Sequence, residues 1–451
     1  MLDFSKVDKP NFWYSFFYGL IWPLHNLLYY RNFKVVGKEN LPADDGYLII
    51  SNHQNSLNDA LGILFACPKQ TVCFIARGDI FKKEKIGKIM RFFRIMPAFR
   101  KRDDAGDVSL NHVIFKEAAR IIKDGHAAVL FPEAMHQDNH YLGTFKKGFA
   151  RVAFNTAEAT NFEKKIWIVP MGNHYENFFH IMSRLQITIG EPFAIDDLYE
   201  TYKEHPEKAM TLLCQRARAC VEPLMLNIED QDNYDNIDLI LTMYRKEWLK
   251  NNGYKPYKFE THLKADRAIV AALNELRESN EGRYNTLMED TAEYRRGLEK
   301  LGLRDWLFGR RFFLGFWLRV IAWIICTPLY LSSLIINLLP YEGTSLIHRK
   351  IKDKMFWGSI NQVVLILFYP IWTLLLAGIT WAVSGLWWAG LAMLVYVPLS
   401  LRIYYYTKIA AIKLYNRSRS FFYRISGNKL FQRTSHLRGG IINELDRIFL
   451  K

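Results

Sequence analysis

Cysteine is scarce and scattered in this 451-residue chain. Cys67, Cys73, Cys214, Cys220 and Cys326 form no Cys-x-x-Cys pair and keep no zinc spacing. That excludes a disulfide framework and points to reduced thiols in a cytosol-facing protein. Acidic residues are the minority, 45 Asp and Glu against 60 Lys and Arg, which leaves a formal net charge of +15. The sign suits an anionic partner, either nucleic acid or lipid. A cleavable signal peptide is not expected, because residues 1–11 carry mixed charge and no small-residue cleavage site follows. The long apolar runs near the C-terminus contain no charged residue, which argues against a transporter. His136 and His140 have no third ligand at metal spacing, so no metal site is expected. No serine or cysteine stands in a clear nucleophile motif.

What is present divides the chain into five parts. Residues 1–32 hold an aromatic-rich apolar run, Phe12 to Tyr30, interrupted by Pro23, His25 and Asn26. Aromatic residues favour the headgroup level of a bilayer, so this reads as an interfacial or re-entrant helical pair that docks the chain on lipid. Residues 33–199 alternate short apolar strands with helices, the pattern of an α/β domain. Strands are expected at Tyr47–Ser51, Val72–Ala76, Ala127–Phe131, Ile166–Pro170 and Leu185–Ile189, and helices near Asp59–Phe65, Lys85–Phe93 and Leu110–Lys123. Residues 200–310 are polar and helical. Leu287, Thr291, Tyr294, Leu298 and Leu301 form a narrow helical stripe there.

Residues 311–401 are read as membrane. Val320–Leu339, Gln362–Val383 and Leu386–Leu401 are runs long enough, or nearly so, to span. Arg310, Arg311 and Arg319 precede the first run, and Arg349, Lys350, Lys352 and Lys354 follow it. Arg402 and Lys408 follow the third. With all three basic groups on one side, the first run is expected to dip in and return, bending at Pro328, while residues 362–401 form a spanning hairpin; the alternative is a first run that spans fully and leaves one basic loop on the opposite side. Residues 402–451 are a basic aromatic tail suited to lie on an anionic membrane. Its place directly after a membrane hairpin excludes nucleic acid as the partner.

Four stretches carry chemistry. The first runs Tyr47-Leu-Ile-Ile-Ser-Asn-His-Gln-Asn-Ser-Leu-Asn-Asp59 and puts His53 and Asp59 in one strand-to-helix loop. An imidazole backed by a carboxylate is the minimal general-base unit. The second is Met96-Pro-Ala-Phe-Arg-Lys-Arg-Asp103. The third is Leu130-Phe-Pro-Glu-Ala134, followed by Phe145-Lys-Lys-Gly148. The fourth is Ile168-Val-Pro-Met171. Each falls at or just past the end of an expected strand or helix, so their residues can share one face of a sheet.

Over roughly Val36 to Phe193, these four motifs in this order resemble the glycerophospholipid acyltransferases, the lysophosphatidate and glycerol-3-phosphate acyltransferases. The resemblance implies an α/β class with an acyltransferase-type central sheet flanked by helices, here extended by a helical subdomain and C-terminal membrane helices. It implies direct acyl transfer, without an acyl-enzyme, from acyl-carrier protein or acyl-CoA to a hydroxyl of lysophosphatidate or glycerol-3-phosphate. The acyl carrier is a co-substrate, and no cofactor is implied. His53 becomes the base, with Asp59 behind it. The family's usual four residues between His and Asp become five, so Asn58 competes with Asp59 for the partner position. Arg100 matches the family arginine best, with Arg102 as its rival, and Glu133 matches the family glutamate as an acceptor-binding residue. Phe-Pro-Glu-Gly becomes Phe131-Pro-Glu-Ala134, and Met135-His136 stand where Thr-Arg is common. Lys146 and Lys147 would then help bind the acceptor phosphate. Backbone N–H groups near Ala134 or Pro170 are the candidates for an oxyanion site. The expected location is the cytoplasmic face of the cell (inner) membrane. Two other readings remain open: an acyltransferase for another lipid acceptor, such as an amino-acid-linked lipid, and a non-catalytic lipid-binding protein of the same fold.

Overall fold

The computed structural model describes residues 4–43, 45–99, 110–133, 139–308, 315–351 and 353–449. The chain forms two units. One comprises residues 1–227 with 350–366, and the other residues 228–349 with 367–451.

The first unit opens with helix α1 (Phe12–Pro23), which continues as a π-helical stretch Leu24–Tyr29 directly into strand β1 (Tyr30–Val36). Phe12, Trp13, Phe16 and Trp22 are exposed, as a lipid-docking run requires, but Tyr29 and Tyr30 are each 1% exposed. The helical pair expected up to residue 32 is therefore one helix, and the last two aromatics of the run belong to the core. Then follow β2 (Tyr47–Ser51), α2 (Ser56–Ala66), β3 (Val72–Arg77), α3 (Glu84–Phe92) and β4 (Ile95–Ala98). The domain continues with α4 (Asn111–Lys123), β5 (Ala127–Leu130), α5 (Gly148–Ala159), β6 (Trp167–Tyr175), β7 (Ser183–Ile189) and β8 (Phe193–Ala194). Helices α6 (Tyr199–Glu204) and α7 (Pro206–Val221) complete this stretch.

The sheet runs β1-β7-β6-β2-β5-β3-β4, with β8 added beside β6. Strands β6, β2, β5, β3 and β4 are parallel to one another, whereas β7 turns antiparallel to β6. Strand β2 is buried along its whole length, the mark of a central strand covered on both faces. Its alternate residues Leu48 and Ile50 enter a core built with Ile114, Ala118 and Ile121 of α4 and Phe149, Val152 and Ala153 of α5. Helix α2 lies against β7, where Gly62 meets the side chains of Leu185 and Ile187. The sequence division at residue 200 falls inside this unit. Helix α7 contributes Ala209, Met210, Leu213, Ala217 and Val221 to the sheet core, because its apolar residues form one stripe at helical spacing.

The second unit begins with α8 (Tyr234–Asn251), α9 (His262–Ser279) and α10 (Glu281–Leu301). The stripe expected on α10 is buried at every position. After it come α11 (Phe316–Asn337), α12 (Thr344–His348), α13 (Met355–Val363, which belongs to the first unit), α14 (Tyr369–Ser384), α15 (Trp387–Ile425) and α16 (Lys429–Phe449). Among the described residues, three helical stretches are long and apolar enough to cross a membrane: Phe316–His348, Phe356–Ser384 and Trp387–Ile425. The first runs through Pro328 without reversing. The dip at that proline is therefore replaced by a continuous helix. Helix α11 packs along α15, where Asn337 donates to Ser400 Oγ at 2.8 Å and accepts from Tyr369 Oη at 3.0 Å. The division at residue 402 also disappears, because α15 continues to Ile425.

The end of the tail expected on lipid, residues 429–449, instead packs inward, whereas Tyr406, Ile412, Tyr415, Phe422 and Ile425 before it are exposed. Helix α16 lies on α10, and Thr434 fills the space left by Gly297. Arg438 binds Asp305 at 2.7 Å, Arg433 binds Glu293 at 2.5 Å, and Glu444 pairs with Arg283. Acidic residues of the preceding helices thus neutralise charge that composition alone assigned to the membrane.

Candidate active site

Two parallel strands, β2 and β5, end together beside a third that runs on: Ile50 of β2 stands beside Leu130 of β5 and Pro170 within β6. The residues after β2 and β5 form the site. His53 Nδ1 lies 2.8 Å from Asp59 Oδ2, and the ring stacks on Phe131 with centroids 4.0 Å apart. The His53 side chain is 14% exposed and that of Asp59 0%. Asp59 sits in the first turn of α2, where the helix end favours negative charge. The same Oδ2 accepts the backbone N–H of Gln54 at 2.8 Å and of Asn55 at 2.7 Å, and Oδ1 accepts the Tyr175 hydroxyl at 2.6 Å. A carboxylate can only accept, so His53 Nδ1 carries the proton and Nε2 carries the lone pair.

The extra loop residue is absorbed in the turn before α2. Ser56 has φ +39°, an unusual conformation for a residue with a side chain. With the turn tightened there, Asp59 reaches the histidine. Asn58 instead donates to Tyr29 Oη at 3.1 Å and to Asn55 Oδ1 at 3.2 Å. The loop is pinned further by Asn52, whose side chain accepts from the Asn173 N–H at 2.7 Å and donates to its carbonyl at 3.0 Å. Asn52 thereby extends the β2–β6 ladder past the strand end.

Residues 32–173 match the sequence model of the Acyltransferase family. Over these residues the chain is similar to acyltransferase domains. Glycerol-3-phosphate O-acyltransferase 2 of Saccharomyces cerevisiae is 27% identical over 39% of this chain and 23% of its own length. The chloroplastic 1-acyl-sn-glycerol-3-phosphate acyltransferase of Arabidopsis thaliana is 28% identical over 32% of this chain and 38% of its own length. The matched stretch thus spans well under half of these curated relatives. The crystal structure of the 1-acyl-sn-glycerophosphate acyltransferase from Thermotoga maritima is 18% identical, with a TM-score of 0.32 over 49% of this chain and 83% of that one.

Within the matched stretch, Glu133 does something the sequence did not suggest. Its Oε1 accepts the His53 backbone N–H and its Oε2 the Gly143 N–H, both at 2.8 Å. Both oxygens accept from main chain, so Glu133 holds the histidine loop. Burial pushes its carboxyl up to about 7, with the Asp59 charge adding to the rise, while the two backbone bonds and the Arg218 charge oppose it. The folded chain therefore keeps a proton that the unfolded chain releases near 4.5. Stability supplied by this group is present below about pH 4.5 and is lost as pH rises toward 7. A Glu133→Gln variant should lack that slope, which amounts to about 3 kcal/mol. Its amide nitrogen faces one of the two N–H groups, so at pH 5 the variant should be less stable than wild type by about 1–3 kcal/mol. Near pH 8, where wild type buries a charge, the two should converge. Thermal unfolding of the full chain in lipid across pH 5–8 measures this.

Lys147 is turned away from the site: its ammonium binds Glu207 Oε2 of α7 at 2.6 Å. Lys146 is exposed, and its N–H donates to the Pro132 carbonyl at 2.8 Å, which fixes the backbone beside the motif. Pro170 lies within β6 rather than at a strand end. Proline has no N–H to offer an oxyanion, and its carbonyl accepts from Gly190 at 2.8 Å. Arg100, Arg102 and Ala134 lie outside the described residues. His140 is buried, with its ring 4.8 Å from that of Phe178. Among the described residues no cluster of His, Cys, Asp or Glu is arranged to hold a metal ion.

Tyr175 was not legible from the sequence. Strand β6 continues past its last pairing with β2, Ser51 with Met171, and carries Tyr175 to the far side of Asp59. A Tyr175→Phe variant leaves Oδ1 of a fully buried carboxylate without its donor. It should unfold about 1–3 kcal/mol more easily than wild type, read by denaturant titration.

Proposed function

We propose that the protein is a membrane-bound O-acyltransferase that moves a fatty acyl group from acyl-CoA or acyl-carrier protein to a hydroxyl of lysophosphatidate or glycerol-3-phosphate. The observation that carries this reading is the His53–Asp59 pair at 2.8 Å, inside a domain whose relatives carry those two names. The acceptor hydroxyl attacks the thioester carbonyl while His53 Nε2 takes its proton. The new C–O bond forms a tetrahedral oxyanion. Its collapse breaks the C–S bond, and the imidazolium returns the proton to the departing thiolate. Asp59 stabilises the imidazolium in between. Spanning by the three long apolar helices of the described residues would bring a lipid acceptor and the acyl product into the same bilayer as the enzyme, and the positive charge suits a cytoplasmic leaflet. The test is acyl transfer by the purified full chain in lipid vesicles, with labelled acyl-CoA or acyl-carrier protein and each acceptor in turn. Label appearing in lysophosphatidate or phosphatidate supports the proposal and names the acceptor. No transfer to either acceptor overturns it.

A further inference from the structure

Helix α13 lies three hundred residues downstream of the histidine loop and forms the start of an apolar, membrane-length stretch. It packs on α2 within the first unit. The contact is built from close approaches that a generic packing helix does not need. A Cβ placed on Gly358 would stand 2.4 Å from Asn55 Oδ1 and 2.8 Å from the Phe178 carbonyl oxygen. Only glycine fits there, although glycine inside a helix is disfavoured. One residue on, Ser359 Oγ accepts the backbone N–H of Leu57 at 3.2 Å across a separation of 302 residues. The Gly358 carbonyl accepts the Tyr29 hydroxyl at 2.9 Å, and that hydroxyl in turn accepts from Asn58. Asn361 donates to the Phe179 carbonyl at 3.0 Å, tying the helix to the segment that also holds Asn55 through Phe178.

Residues 55–58 are the turn that contains the extra residue and the strained Ser56. Each contact above therefore bears on the part of the loop that decides whether Asp59 or Asn58 faces His53. The main-chain donors of Gln54 and Asn55 can reach Asp59 only while that turn is held.

We propose that Gly358 and Ser359 are positioning residues for acyl transfer: α13 clamps residues 55–58 and so keeps Asp59 on His53. The proposal rests on the catalytic reading above, but its structural half can be tested without turnover. The experiment uses the full chain in lipid vesicles as wild type, Gly358→Ala, Ser359→Ala, Ser359→Thr and, as a control in open space, Gly378→Ala. Two quantities are read: amide hydrogen exchange across residues 52–60, and kcat and KM with the acceptor that wild type uses.

Gly358→Ala should speed exchange in that segment and lower kcat by about 10²-fold, the size of effect of a misplacement near 1 Å, with KM changed less than about two-fold. Ser359→Ala should lower kcat by about five-fold, the loss of one ordinary hydrogen bond, and Ser359→Thr should restore both exchange and kcat. Gly378→Ala should match wild type. Unchanged exchange in Gly358→Ala and Ser359→Ala overturns the clamp. Faster exchange with unchanged kcat overturns the positioning role. A rise in KM with kcat unchanged also overturns it, since that would make α13 a substrate-binding wall. If wild type transfers no acyl group, the catalytic reading fails, and exchange alone decides whether α13 holds the loop.

Discussion

His53→Ala should lower kcat by about 10²–10⁴-fold, the usual contribution of a well-placed general base, and leave KM for the acceptor nearly unchanged. The ring acts on a proton that moves only in the transition state, so removing it takes away little ground-state binding. The loop itself should survive. The bond from the residue 53 N–H to Glu133 is a main-chain bond, and alanine keeps it. The stacking on Phe131 is lost, but the side chain is already partly exposed, so the thermal transition should fall by only a few degrees. Steady-state kinetics beside a melting curve separates the two effects. Turnover within ten-fold of wild type in a folded His53→Ala protein would sink the mechanism.

Asp59→Asn should lower kcat by about 10²–10³-fold with the loop still formed. The carboxylate accepts from four donors. Three of them, the N–H groups of Gln54 and Asn55 and Nδ1–H of His53, share Oδ2, while the Tyr175 hydroxyl alone uses Oδ1. An asparagine can therefore place its oxygen toward the three N–H groups and its amide toward Tyr175, whose hydroxyl can accept as well as donate. Geometry and tautomer are kept and the charge is lost. An opposite charge near 4 Å is worth roughly 4 kcal/mol to the imidazolium at an effective dielectric of about 20, which sets the upper end of the expected loss.

This arrangement makes the double variant informative. In Asp59→Asn/Tyr175→Phe the amide would have no acceptor, but a neutral amide loses less than a buried carboxylate does, so stability should fall by less than the sum of the two single changes. A simple sum would mean that Tyr175 does not sense which atom faces it. The four variants of the cycle are compared by denaturant unfolding.

Much of the fold follows from local pattern. The run Tyr47–Ser51 has too many consecutive apolar residues for a half-exposed strand, and it is buried from end to end. Ile114, Ala118, Ile121 and Ile122 on α4 and the stripe on α10 are set by the 3.6-residue repeat and face the interior, whereas Val113 on α4 is exposed. The strand β1 was missed because its first residue, Tyr30, ends a run that reads as lipid-facing. Helix α7 was assigned to the wrong part because its polar exterior resembles the helices that follow it. Proline inside an apolar run reads locally as a break, whereas α11 passes through Pro328 intact.

By itself, the sequence determined the order of the four motifs, the residue types of a general-base pair, the central strand and the three apolar stretches, because each is written within about twenty consecutive residues. The tertiary structure decided which acid meets His53, and it did so through partners far away in the chain. Tyr175 is 116 residues from Asp59, the Glu133 carboxylate 80 residues from the His53 amide, and Ser359 302 residues from Leu57. It also turned Lys147 toward Glu207 and the tail arginines toward Glu293 and Asp305. The physical reason is that a side-chain hydrogen bond or ion pair depends on where two elements end up. Neither the period of a helix nor the alternation of a strand records that.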